Sequence, residues 1–158
     1  MLILMLVAGV IALFISGTSY VRRAGIEPEV WHVDPLTAPT PDTPNSYRVA
    51  PGFAEVPVDA EAPTYAVSAA ELALRFDEIA LAAPHTQAVA GSAAEGHVTY
   101  VQRSPLWGFP DYVSVRFIEA DDGAGSSTLA IFSRSRFGRR DLGVNKKRVA
   151  SWLASLPS

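Results

Sequence analysis

The chain has 158 residues, a formal net charge of −3 and no cysteine, a length typical of a single domain. The absence of cysteine excludes disulfide bonds, thiolate catalysis and iron–sulfur clusters, and the negative charge provides no overall basic field for binding nucleic acid. The three histidines, His32, His85 and His97, lie far apart and without zinc-ligand spacing, so we expect no metal and no cofactor.

The first 21 residues are uncharged and mostly apolar, and Arg22 and Arg23 follow them. A helix of about 20 residues is long enough to cross the hydrocarbon core of a bilayer, so we expect a single transmembrane anchor over residues 1–21 and a membrane as partner. One alternative is a cleaved signal peptide, which normally carries a basic start that is missing here; the other is a buried core helix. Two arginines are too few to decide on which side of the membrane the remainder lies.

A proline-rich tether is predicted for residues 22–62. Proline recurs there at positions 28, 35, 39, 41, 44, 51 and 57, a pattern that favours extended or polyproline II geometry. Two short apolar runs, residues 30–33 and 47–49, interrupt the pattern. We expect these runs to pack onto the domain as edge strands or extended arms; the alternatives are disorder and, for Trp31, His32 and Asp34, a polar site.

Residues 63–158 predict a globular domain. Residues 63–67 are expected to form a short strand, and Ser68 and Glu71 form a capping box that begins a helix ending before Pro84. Alternation of apolar and polar residues predicts strands over 86–90, 97–103, 112–118 and 127–136, with a hairpin loop over 121–125. In the last helix the apolar face is formed by Leu142, Val149, Trp152, Leu153 and Leu156, and Lys146, Lys147 and Arg148 fall largely on the opposite face.

The fold class follows from this order of elements. Short connections favour antiparallel neighbours, and two amphipathic helices need a sheet face on which to bury their apolar sides. We therefore expect an α+β domain: an antiparallel sheet of about four to five strands with two helices packed on one face, similar to a helix-grip fold, preceded by one N-terminal transmembrane helix.

Residues 103–113 read R-S-P-L-W-G-F-P-D-Y-V, which is similar to the segment R-x-x-L-F-G-F-P-D-D-V of the domain-of-unknown-function 1499 family, DUF1499. Residues 133–148, S-R-S-R-F-G-R-R-D-L-G-V-N-K-K-R, are similar to its S-x-S-R-x-G-x-x-D-L-G-V-N-x-x-R, and the resemblance covers about residues 40–155. The family usually carries P-N-C-V-S-S near the start of the domain. Here Ser46 stands at the cysteine position, so no role of that cysteine can operate in this chain.

The resemblance implies a bacterial or plastid protein, often with an N-terminal membrane or export segment, and no established activity. We therefore expect a single-pass protein of the bacterial inner membrane. Candidate ligand-binding residues come from the two motifs, and no catalytic residue is assigned. They are Arg103, Asp111, Arg134, Arg136, Arg139, Asp141 and Asn145. The favoured interpretation is a structural network of arginines and aspartates that fixes the strand ends to the last helix; the alternative is an anion or headgroup site built from the arginines.

The sequence thus predicts a non-catalytic binding or scaffolding domain for a small apolar or anionic ligand, such as a lipid, or for a membrane-protein partner. The alternative is a hydrolase-like enzyme that uses Asp111 and Asp141 with the arginine cluster, although the chain has no nucleophile elbow and no phosphate loop. Nucleic-acid binding through residues 134–140 is not expected, because the chain is acidic.

Overall fold

The computed structural model describes residues 5–7, 9, 25–120 and 125–157. From residue 25 onward the helices are α1 (Pro28–Trp31), α2 (Ala69–Ala82) and α3 (Val144–Ala154), with a 3-10 turn at Ala93–Glu95. The strands are β1 (Ser46–Ala50), β2 (Ala60–Glu61), β3 (Thr86–Ser92), β4 (His97–Arg103), β5 (Pro110–Glu119) and β6 (Ser127–Ser135). They form one sheet in the order β2-β1-β6-β5-β4-β3.

The predicted fold class is wrong in its sheet. The sheet has six strands instead of four to five, and it is mixed, because β1 and β2 run parallel while all the other neighbours are antiparallel. β1 and β2 lie in the segment predicted as a tether, and β1 contains the run 47–49 that was expected to pack onto the domain. The strand expected over residues 63–67 is reduced to an isolated bridge between Tyr65 and Ser127. Pro51 and Pro57 lie between β1 and β2 instead of inside them, so they do not remove hydrogen bonds from the ladder.

The fold class is also wrong in its transmembrane helix. In the part of the chain that the structure describes, no helix is long and apolar enough to cross a membrane. A span needs about 20 residues, and α2 has 14 residues. Of the predicted span, residues 1–4, 8 and 10–21 lie outside the described residues. The predicted membrane partner and inner-membrane localisation stay predictions.

Both long helices pack on the same face of the sheet, as predicted. The core contains side chains from the strands, among them Val98, Tyr100, Val113, Val115, Phe117, Leu129 and Ile131, and from the helices, among them Leu72, Phe76, Val149 and Trp152. Phe76 and Trp152 meet edge to face with ring centroids 5.7 Å apart, which joins α2 to α3. Val113, Val115 and Phe117 of β5 all lie in this core, because alternate residues of a strand share one face.

Helix α2 begins where the capping residue predicted it. The Ser68 hydroxyl accepts a hydrogen bond from the Glu71 amide, at 3.2 Å. The Glu71 carboxylate does not complete the capping box. It forms an ion pair with Arg75 one turn further along the helix. The helix ends at Ala82, and Ala83 is extended because Pro84 follows it.

The start of α3 differs from the prediction. Leu142 was expected on the apolar face of the last helix, but it precedes the helix, has a left-handed φ of 54° and is 88% exposed. Gly143 is also left-handed, with φ of 79°. These two residues turn the chain so that the helix begins at Val144, and Leu142 points away from the core.

The second face of the sheet is covered by residues 25–38, here called the N-terminal cover. The ring of Trp31 stacks on Tyr112 of β5 with centroids 4.3 Å apart. His32 stacks on His97 of β4 at 3.9 Å, and Asp34 forms an ion pair with Arg116 of β5. The sheet is therefore buried on both faces. β5 and β6 pair as expected, and residues 121–124 of the predicted hairpin loop lie outside the described residues.

Candidate functional site

Each of the two family-like motifs contains a connection, and both connections lie at the same end of the central strands. Residues 104–109 connect the end of β4 to the start of β5, and residues 136–143 connect the end of β6 to α3. Because β4, β5 and β6 are antiparallel neighbours, these two connections lie side by side. Together they enclose a cleft, here called the motif cleft.

The motif cleft consists of two adjoining cavities of about 260 and 350 Å³. Ser104, Asp111 and Val144 line both of them. The smaller cavity is lined further by Phe109, Phe137, Arg140 and Asp141, and the larger by His85, Gln102, Arg103 and Arg148. The larger volume lies within the range of about 300 to 1,000 Å³ that is usual for small-molecule sites in proteins, and the smaller lies just below it.

Apolar side chains form the rim of the cleft. Five large hydrophobic residues are exposed in this region: Leu106, Trp107, Phe109 and Leu142 in the two connections, and Val144 at the start of α3. Of these, Phe109 and Val144 line the cavities. The rings of Trp107, Phe109 and Phe137 form a continuous series. The centroids of Trp107 and Phe109 are 6.4 Å apart, and those of Phe109 and Phe137 are 6.1 Å apart. Exposed apolar groups gathered at one cavity are unusual on a soluble surface and are typical of a binding site.

The floor of the cleft is an ion pair between Asp111 of β5 and Arg148 of α3, 2.6 Å long. The side chains are 14% and 5% exposed, respectively. Arg148 also donates from Nε to the side-chain oxygen of Gln102 at 2.6 Å, and from Nη1 to the Ser133 hydroxyl at 2.9 Å and to the Asn145 Oδ1 at 2.7 Å. A guanidinium with this many acceptors has a fixed orientation, so the floor is rigid.

Asn145 joins this ion pair to the other wall of the cleft. It is fully buried, and its side-chain amide donates to the backbone oxygen of Asn45, to the Ser135 hydroxyl and to Asp141, at 3.0, 3.0 and 2.8 Å. Asn45 in turn donates to the Gly138 carbonyl at 2.8 Å. The segment before β1 is thereby fixed to the connection between β6 and α3.

Asp141 caps α3. Its carboxylate accepts from the amides of Gly143 at 3.0 Å and of Asn145 at 2.9 Å. Partial burial alone would raise the pKa of Asp141, but these amides and the Asn145 side chain favour the ionised form, and the pKa is lowered overall. Asp141 therefore holds the first turn of the last helix.

The structure brings together some of the predicted site residues and separates others. Asp111 and Asp141 line the smaller cavity, Asn145 lies beneath it, and Arg103 lines the larger one while donating to the Gly108 carbonyl at 3.1 Å. The other three arginines, Arg134, Arg136 and Arg139, line neither cavity.

Each of those three arginines has a different environment. Arg134 is buried on the second face of the sheet under Trp31. Arg136 pairs with Glu27 of the N-terminal cover at 2.9 Å, and Arg139 is exposed. The arginine cluster expected from sequence is therefore not formed, because alternate residues of β6 face the side of the sheet away from α3.

The residue that sequence reasoning missed is Arg148. It was assigned to the solvent-facing side of the last helix, but it follows Asn145 by three residues and so shares its buried face. Ser133, Ser135 and Arg140 were also missed as site residues. The second motif could have identified three of them. It specifies the residue type at Ser133, Ser135 and Arg148, whereas it allows any residue at positions 146 and 147.

The comparisons with known proteins agree with this placement of the motifs. The DUF1499 family, described as proteins of unknown function, matches residues 37–156, which include both motifs and the whole sheet. The search of curated proteins found no match. Because the family match covers most of the sequence, the chain belongs to the DUF1499 family.

Proposed function

We propose that the domain is a non-catalytic binding module and that the motif cleft is its site. The observation that carries this proposal is a rigid, buried polar floor beneath a cavity with an exposed apolar rim. Ligand sites in proteins combine these two features: apolar walls supply affinity, and a few fixed polar groups supply orientation.

The ligand class that fits is a small molecule with an apolar body and an anionic group. Phe109 and Phe137 provide apolar walls, while Arg140 lines the smaller cavity and Arg103 the larger. The two carboxylates of the cleft do not oppose an anion strongly. The charge of Asp111 is balanced by Arg148, and that of Asp141 by the helix amides that it caps.

Hydrolysis is less well supported by the same geometry. A general base must be free to take a proton, and its pKa must lie near the working pH. Asp111 is held by Arg148, and Asp141 is committed to capping and has a lowered pKa. Both carboxylates named for a hydrolase therefore have structural partners.

Binding is tested with three probes that share one alkyl chain: dodecanoate, dodecanol and dodecyltrimethylammonium. We expect full-length protein to bind dodecanoate most tightly in isothermal titration calorimetry. Arg140→Gln should weaken dodecanoate binding about tenfold, the usual effect of removing one charge-assisted hydrogen bond, and leave dodecanol binding unchanged. Arg139→Gln is the matched control, because this neighbouring arginine is exposed and lines neither cavity.

A second arm tests the apolar wall. Phe137→Ala should weaken all three probes by a similar factor, since it removes apolar contact and no charge. Equal affinity of the three probes, or dodecanoate binding that survives both Arg140→Gln and Phe137→Ala, would refute the cleft as the site. Incubation of the protein with a lipid extract, followed by native mass spectrometry, identifies the natural ligand, and recovery of no bound species would count against the proposal.

A further inference from the structure

Two arginines are buried on the second face of the sheet, away from the motif cleft. Arg48 of β1 is 1% exposed and Arg134 of β6 is 9% exposed. Both lie over the ring of Phe132, with guanidinium carbons 3.8 and 4.8 Å from its centroid. The N-terminal cover closes this face, and Trp31 lies 5.1 Å from Arg134.

The hydrogen bonds of these arginines are incomplete. Arg48 donates from Nη2 to the Ala38 carbonyl at 2.6 Å, and Arg134 donates from Nη2 to the Trp31 carbonyl at 2.9 Å. Within the described part of the chain, four further nitrogens are fully buried and have no acceptor: Arg48 Nε and Nη1, Arg134 Nε and Trp31 Nε1. Buried polar groups in proteins are almost always hydrogen-bonded, so these four unpaired donors require an explanation.

The charge of the pair is also unbalanced. No carboxylate of the described residues lies within 4.0 Å of either guanidinium. Asp59, the acidic residue that acts on Arg48, accepts a hydrogen bond from its backbone amide instead. Burial, and then the positive charge of Arg48, lower the pKa of Arg134 to about 10, so Arg134 is still cationic at neutral pH. Arginine side chains in general keep their charge in proteins. Phe132 attracts them through its ring face but accepts no conventional hydrogen bond.

We propose that Arg48, Arg134 and Trp31 form a buried binding site for a small monovalent anion of the halide class. An anion supplies both missing elements, acceptors for the unpaired donors and a compensating negative charge. The four donor atoms have no contact with solvent, so a bound ion must lose its hydration shell. The cost of dehydration rises steeply with ionic charge, which favours chloride or bromide over sulfate or phosphate.

The site joins three separate parts of the chain. Arg48 comes from β1, Arg134 from β6, and Trp31 from α1. Trp31 precedes residues 37–156, the part matched by the family. A bound anion would therefore attach the N-terminal cover to the sheet of the family domain, and its loss would loosen that attachment.

Bromide is the direct probe. Crystals of the full-length protein grown in bromide should show an anomalous peak within hydrogen-bond distance of Arg48 Nε or Nη1 and of Arg134 Nε. This readout uses the native sequence, so it does not depend on whether a variant folds. Bromide peaks found on the surface alone, with none between the two guanidinium groups, would overturn the proposal.

Thermal unfolding provides the matching test in solution. Replacing gluconate by chloride or bromide at constant ionic strength should raise the Tm by about 4 °C, the order expected when a ligand binds only the folded state. Trp31→Phe keeps the stack on Tyr112 but removes one donor, and should raise the bromide concentration that gives half the effect about tenfold. Arg139→Gln, the exposed control, should respond as the native protein does. An equal response to gluconate and the halides, or an unchanged response in Trp31→Phe, would contradict the site.

Discussion

Replacing Arg148 by methionine removes the cation from the floor of the motif cleft while keeping most of the aliphatic side chain. Four hydrogen bonds are lost, to Gln102, Ser133, Asn145 and Asp111. Asp111 keeps its negative charge in a side chain that is only 14% exposed, with no counter-ion in place of Arg148. Removing one partner of a buried ion pair costs about 3 to 5 kcal/mol, and the partial exposure of Asp111 places this case at the lower end.

We therefore expect Arg148→Met to lower the free energy of unfolding by about 3 kcal/mol, measured by urea titration with circular dichroism. That loss is a large fraction of the stability of a typical domain, about 5 to 15 kcal/mol, so it is readily measured. Arg139→Gln serves as the control. Because Arg139 is exposed, this change should alter the free energy of unfolding by less than about 0.5 kcal/mol.

A double-mutant cycle separates the ion pair from the rest of the network. Asp111→Asn leaves Arg148 without a carboxylate, and the double variant Asp111→Asn with Arg148→Met leaves neither charge unpaired. The double variant should be about 2 kcal/mol more stable than the sum of the single losses predicts. A cost below about 1 kcal/mol for Arg148→Met, or additive losses in the cycle, would refute the assignment of this pair as the rigid floor.

Three further predictions concern capping, pH and backbone geometry. Asp141→Ala should cost about 1 kcal/mol at neutral pH. Because the pKa of Asp141 is lowered from 3.8, this difference should shrink as the pH falls through that value toward the folded pKa; a constant difference in acid urea titrations would contradict the cap. Burial, followed by the charge of the adjacent His32, lowers the pKa of His97 from 6.5, so the unfolded state takes up the proton first. The contribution of neutral His97 to the free energy of unfolding should be fully present above pH 6.5 and decrease as the pH falls below that value. His97→Gln should make this decrease smaller in thermal melts at a series of pH values, and an unchanged decrease would exclude His97 as its source. Gly91→Ala should cost about 3 kcal/mol or more, because its Cβ would lie 2.0 Å from the His97 carbonyl oxygen. Gly96→Ala is also left-handed, but its Cβ would come no closer than 3.9 Å to another atom, the Phe117 carbonyl oxygen, so it should cost about 1 kcal/mol. Similar losses in the two variants would show that the contact at Gly91 is not limiting.

Local patterns in the sequence predict those elements whose burial follows a simple period. The limits of β4 were predicted correctly, and Val113, Val115 and Phe117 lie in the core as their alternation indicated. The start of α2 follows from the short-range chemistry of Ser68. In each case, a few neighbouring residues contain the whole signal.

The sheet edge and the candidate site depend on contacts that are distant in sequence. Residues 47–49 were expected to pack as an edge strand or arm, but the burial of Arg48 within β1 depends on Phe132 and Ala38, which local patterns do not reveal. Arg148 is buried only because Asp111 and the polar groups around it arrive from other elements. The periodicity of one helix cannot reveal such partners, so a charged residue on a buried face is assigned to the wrong side.

The pairing of β1 with β6 has a consequence for how the chain folds during translation. Ser46 pairs with Arg134, so the first strand to leave the ribosome must wait for the last one before its main-chain groups are satisfied on that side. Contacts between such distant residues form slowly, because a long loop must close first. β3, β4 and β5 can assemble earlier as neighbouring hairpins, with an open edge at β5 until β6 is synthesised. A ribosome stalled before β6 should therefore hold a partly built sheet that is prone to aggregation, and the N-terminal cover should be the last part to acquire its native contacts.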